Sequence, residues 1–143
     1  MLQEGDSFTT RQRILLTQLI YSSLIVEIKE KELLQYLRNS ALCSRYNKND
    51  ALEKDLATAL SIAAKSQELD AIVAKYATIK PPMLISALLQ VGLYEILYCT
   101  TTHNRANVIK DYLNIASAFE HQIEIGFINS ILDKARLSCD EAS

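Results

Sequence analysis

The side chains best suited to chemistry in this chain lie near its two ends. Read as a helix, the segment from Arg11 to Ser22 carries Arg13, Thr17 and Tyr21 at i, i+4 and i+8, with Arg11, Gln18 and Ser22 in a second line beside them. Two guanidinium groups near an aromatic ring suit single-stranded RNA: the arginines pair with phosphates, and the ring offers a face on which a base stacks. The same residues also describe a solvated helix face with a half-buried tyrosine. Phe127 opens the stretch Phe-Ile-Asn-Ser-Ile-Leu-Asp-Lys-Ala-Arg and is either a second stacking platform or a core-packing ring.

Other chemistries find little support. Gly5, Gly92 and Gly126 are isolated, so neither a phosphate-binding loop nor a dinucleotide fingerprint is present. Gly92, within the most apolar segment, reads as a point of close helix packing. His103 and His121 lack metal-ligand spacing, and Asp50, Glu53 and Asp55 read as a helix cap and a solvated face rather than an acid/base pair. The expectation is a protein without catalytic activity, metal or cofactor. Cys43, Cys99 and Cys139 are odd in number and far apart, which fits a reducing cytoplasm better than a disulfide framework. No signal-peptide pattern opens the chain.

The elements that position these residues are helical. Only three Gly and two Pro in 143 residues leave too few turn signals for a sandwich or barrel, while 49% apolar and 22% charged residues describe an ordinary globular composition. The net charge of −2 gives no global positive field toward nucleic acid, so RNA contact would need local basic residues or a partner. Thr9 and Gln12 have capping-box spacing and open a helix from about residue 10 to 28, with Leu15, Leu16, Leu19, Ile20 and Val26 on its apolar arc. Leu33, Leu34, Leu37 and Leu42 mark a second helix; a third opens at Asp50 with Leu52, Leu56, Ala59, Leu60 and Ala63 inward. A short fourth covers Glu68 to Ala77. Pro81 and Pro82 start a near-continuous apolar helix running to Cys99, too short to span a bilayer at roughly 20 residues and interrupted by Gln90 and Glu95. Val108, Ile109, Tyr112, Leu113, Ala116 and Phe119 line the next helix. In the last, Phe127, Ile128, Ile131, Leu132 and Ala135 form the docking face, Asn129 bonds a neighbouring helix end, and Asp133 with Arg136 forms a surface pair of small energetic value. The class is all-α, with about seven helices.

Several of these segments are similar to the NusB family of transcription antitermination proteins. Arg11-Gln-Arg-Ile-Leu-Leu-Thr-Gln-Leu-Ile-Tyr21 resembles the family's opening helix, and Leu88 to Ile96 resembles its leucine-rich helix closing in Tyr-Glu. Residues 108–119, followed by 127–136, resemble its Ile-Asn-Glu helix and its final Phe-Val-Asn-Gly-Val-Leu-Asp-Lys motif. The chain departs from the pattern at Gln90, where the family has Arg, at Lys110 and Asp111, and at Ser130 in place of Gly.

The resemblance implies two packed three-helix bundles, about residues 9–77 and 81–138, in a single NusB-like domain. It implies a cytoplasmic factor that binds the boxA element of nascent ribosomal RNA. The tenth protein of the small ribosomal subunit (NusE) would be its partner, within an RNA polymerase antitermination complex that reads through terminators. Carried over by position, Arg11 and Arg13 are the basic residues, Tyr21 and Phe127 the aromatics near RNA, and Glu95 the acid facing the ribosomal protein. Two other readings stand beside it: a protein–protein adaptor that keeps the fold without RNA binding, and the RNA-binding domain of a ribosomal RNA cytosine methyltransferase. The end at Ser143 without a Gly-rich cofactor segment counts against the latter. A monomer and a homodimer are both compatible with the sequence.

Overall fold

A computed structural model describes residues 7–26, 30–39, 50–101, 104–118 and 124–142. Seven α-helices account for most of them: α1 (Thr10–Val26), α2 (Glu30–Arg38), α3 (Asp50–Ala64), α4 (Ser66–Tyr76), α5 (Met83–Tyr94), α6 (Arg105–Ser117) and α7 (Glu124–Ala142). No strand occurs among the described residues.

The local signals act as their chemistry dictates. The Gln12 N–H donates to Thr9 Oγ1 at 3.1 Å, and the Thr9 N–H donates to Gln12 Oε1 at 2.8 Å, which closes the reciprocal capping box of α1. Gln12 also donates from Nε2 to Asp55 Oδ1 at 3.1 Å and ties the start of α1 to α3. Asp55 is therefore a buried inter-helix acceptor, not part of a solvated face. Pro82 precedes α5, and its carbonyl accepts from the Ser86 N–H at 2.9 Å.

Helix α5 is the central element. It is buried almost without interruption from Ala87 to Tyr94, which explains its apolar run, and it packs on α1, α4, α6 and α7. Leu16, Leu19 and Ile20 of α1, Leu56 and Ile62 of α3, and Ile128, Ile131 and Leu132 of α7 close around it. Each such side chain contributes about 1.5–3 kcal/mol by leaving water. Gly92 lets α7 and α6 approach: a Cβ there would meet Leu132 Cδ2 at 3.3 Å and the Tyr112 ring at 3.5 Å. No described helix is long and apolar enough to cross a membrane.

Four details differ from the sequence expectations. The apolar segment does not run to Cys99 as one α-helix; Glu95–Cys99 widens into a π-helical turn. Helix α7 opens at Glu124, so Phe127 lies inside its first turn rather than at its head, and Asn129 is exposed instead of bonding a helix end. Val26, expected on the apolar arc, is exposed. Cys43, His103, His121, Leu42, Phe119, the Leu34 side chain and the cap at Asp50 lie outside the described residues.

Candidate nucleic-acid interface and the network behind it

Arg13, read from the sequence as a phosphate contact, faces the protein interior. It is 4% exposed and shares its helix face with Leu16, Ile20 and the buried Thr17, whose hydroxyl donates to the Arg13 carbonyl at 2.7 Å. Its guanidinium grips Glu95 with two parallel bonds, Nε to Oε1 and Nη2 to Oε2, each 2.8 Å. Nη1 donates to Asp111 Oδ2 at 3.0 Å. Such a fork-to-fork pair has the geometry in which Arg and carboxylate interact most strongly.

Glu95, read as a partner contact, is 0% exposed. Its carboxylate accepts four hydrogen bonds: the two from Arg13, one from the Tyr112 hydroxyl at 2.8 Å and one from the Phe8 N–H at 3.0 Å. A buried carboxylate survives only when its charge is matched and its lone pairs are filled, and both conditions hold. Arg13 and Glu95 are therefore corrected here: they face each other, not RNA and a protein partner.

The titration behaviour of the group follows from this geometry. Burial works against the charge of Arg13, but the hydrogen bonds to Glu95 and its negative charge outweigh burial and hold the guanidinium above its ordinary pKa. Burial, then the charge of Glu95 and the bond to it, push the Tyr112 phenol well above its usual value. Arg13 also lies over the Tyr112 ring, 5.4 Å from its centroid. The network joins the segment before α1, α1 itself, the end of α5 and α6, and it fixes how α1 is rotated.

That rotation decides what α1 presents outward. Arg11 is exposed and Tyr21 is half-buried against the core. At 100° per residue they lie about 80° apart around the helix and about 15 Å apart along it. Phe127 is half-buried on α7 and packs against the core, so one part of its ring is held while the rest is open. No ring pair between Tyr21 and Phe127 occurs among the described residues.

Sequence reasoning missed two features. Asp111, Tyr112 and Phe8 complete the Glu95 network, and the available signal was phase: Arg13 stands at i−3 and i−7 from Leu16 and Ile20, in register with the core. At the π turn, Arg105 donates from Nε to the Ile96 carbonyl at 3.1 Å and from Nη1 to Asp140 on α7. Arg136 continues this chain to Asp133 at 2.7 Å and to Asp140 at 3.4 Å, so the expected Asp133–Arg136 pair is one end of a larger bridge between α6, the π turn and α7. No cluster of metal-ligating side chains occurs among the described residues.

Comparison with known proteins places this arrangement. The NusB family model matches residues 10–136. The transcription antitermination protein NusB of Rickettsia typhi (strain ATCC VR-144 / Wilmington) is 33% identical over 137 residues, covering 85% of this chain and 86% of the relative. That of Rickettsia felis (strain ATCC VR-1525 / URRWXCal2) is 32% identical over 142 residues with the same coverage. A shorter match, 47% identical over 53 residues, links the chain to the namesake of Rickettsia massiliae (strain Mtu5). No solved structure matches significantly. With the family model covering most of the chain and relatives aligned along most of their length, the chain belongs to the NusB family.

Proposed function

We propose that this protein is a non-catalytic transcription antitermination factor of the cytoplasm that binds boxA RNA together with the tenth protein of the small ribosomal subunit. Family membership carries the general role. The observation that supports the RNA face is the locked rotation of α1, which keeps Arg13 inside and leaves Arg11 exposed and Tyr21 half-buried. Arg11 meets phosphate, and the open part of the Tyr21 ring takes a base, a contact worth about 1–3 kcal/mol in single-stranded sites. Phe127 supplies a second ring. Arg13 and Glu95 hold this face in place rather than touching a ligand.

The net charge of −2 means that electrostatic attraction to RNA is local and weak in the free protein. The basic ribosomal partner supplies the missing positive charge. The burial of Arg13 also favours a second reading, in which the chain is an adaptor that has given up RNA, because α1 then shows one arginine of its pair to solvent.

Tyr21→Ala separates the two readings. An RNA-binding protein loses about fivefold or more in affinity for a boxA oligonucleotide while its far-ultraviolet circular dichroism stays constant. Unchanged affinity removes Tyr21 from the site.

A further inference from the structure

A sizeable cavity lies away from the Arg13–Glu95 network. It is a half-open groove of about 730 Å³ between the last turns of α1, α4, residues 77–82 and the start of α5. Its walls are mostly apolar, with Leu24, Val73, Ala77, Pro81 and Met83, and Ile79 stands 70% exposed beside them. The size and the apolar lining match sites that hold one small organic molecule.

The polar side chains of this groove are Asp70, Gln90 and Lys80 beside the hydroxyls of Ser23, Thr78 and Ser86. Gln90 is 1% exposed and lines the groove; its Nε2 donates to Asp70 Oδ1 at 2.8 Å, and its Oε1 has no hydrogen-bond partner among the described residues. Asp70 is exposed and keeps acceptor capacity beyond its bond to Gln90. The Ser23 hydroxyl already donates to the Ile20 carbonyl at 2.7 Å. Lys80, the cation of the lining, is exposed.

We propose that this groove binds a small organic cation: an apolar body seated on Leu24, Val73 and Met83, with a primary ammonium or guanidinium donating to the Asp70 carboxylate. Gln90 is a positioning residue. Its Nε2 holds Asp70 in place. A neutral head loses the charge-assisted bond, and an acid meets Asp70 as a like charge.

The test uses the full chain, uniformly ¹⁵N-labelled, titrated with 4-phenylbutylamine, 4-phenylbutanol and 4-phenylbutyrate, which share one apolar body. The amine is expected to give saturable shifts in residues 70–83 and in the Gln90 side-chain amide, with the alcohol about tenfold weaker and the acid weaker still. Asp70→Asn is expected to abolish the preference for the amine. Ala74→Trp, at an exposed lining position, is expected to fill the groove and prevent binding of all three probes in a protein whose spectrum elsewhere is unchanged. Equal binding of amine and alcohol, shifts mapping outside the groove, or an Asp70→Asn protein that keeps the amine preference overturns the proposal. So does a Gln90 side-chain amide signal that stays constant throughout.

Discussion

Replacing Glu95 by Gln keeps the shape of the side chain and removes its charge. In the folded protein Glu95 balances a guanidinium whose side chain is 5% exposed, and the remaining anion near Arg13 is Asp111, whose own side chain is 45% exposed. The substitution turns one of the two gripped oxygens into an N–H group that opposes an Arg13 donor. Breaking a buried pair by altering one partner costs about 3–5 kcal/mol, since the other charge stays in the interior without its match. For a domain of this size each kcal/mol moves the melting temperature by about 2–4 °C, so Glu95→Gln should lower it by about 6–20 °C. Arg13→Met should cost a similar amount, because it strands the carboxylate. In the double variant Arg13→Met/Glu95→Gln the new amide can accept from the Phe8 N–H and donate to the Tyr112 hydroxyl, and no charge is stranded. That protein should be at least about 2 kcal/mol more stable than the sum of the single losses implies. Urea unfolding followed by circular dichroism on all four proteins closes the cycle. Additive losses, or a Glu95→Gln protein within about 1 kcal/mol of the parent, would refute the view that α1 is locked by a coupled buried pair.

Other outcomes follow from the same contacts. Tyr112 has its phenol held above the ordinary value of 10.0, so folding stability is fully present below that pH and falls as the pH rises through it. The contribution from this residue is about 1.4 kcal/mol per pH unit, and Tyr112→Phe should remove that part of the alkaline slope in urea titrations between pH 9 and 11. Gly92→Val should destabilise by about 2–3 kcal/mol in thermal melts, because its methyl groups press on Leu132 and on a Tyr112 ring pinned by Glu95; a neutral result would mean that α7 shifts freely. Arg105→Lys keeps the charge but loses the fork that joins the Ile96 carbonyl to Asp140, and it should speed amide hydrogen exchange in the π turn and at the end of α7. Arg11→Ala should reduce the dependence of log affinity on log salt by about one ion for a boxA oligonucleotide.

Features with local causes were legible before the structure. The Thr9–Gln12 box, the start after Pro82 and the close approach at Gly92 each depend on a few adjacent residues or on the size of one side chain, and each acts as read. The direction of α1 was harder. Ile14 and Ile25 are exposed on this helix while Arg13 and Thr17 are buried, so hydropathy alone does not show which face turns inward. What brings Arg13 inside is a carboxylate 82 residues away in sequence, and a rule that puts charge on the surface misplaces both partners. Glu95 carried a quieter sign in its position one turn after Val91 and two after Leu88, in phase with the most buried face of the molecule. The π turn left no mark in composition. Its Ile96 carbonyl accepts from Arg105 of another helix, a contact that spacing cannot reveal.

The first measurement to make is a titration of a short fluorescent boxA RNA with this protein, alone and with the tenth small-subunit ribosomal protein, at two salt concentrations. Salt-sensitive binding that tightens when the ribosomal protein is added is the predicted result, with Tyr21→Ala weakening it. A folded protein that binds no boxA RNA in either condition would contradict the antitermination reading and leave an adaptor built on the same helices.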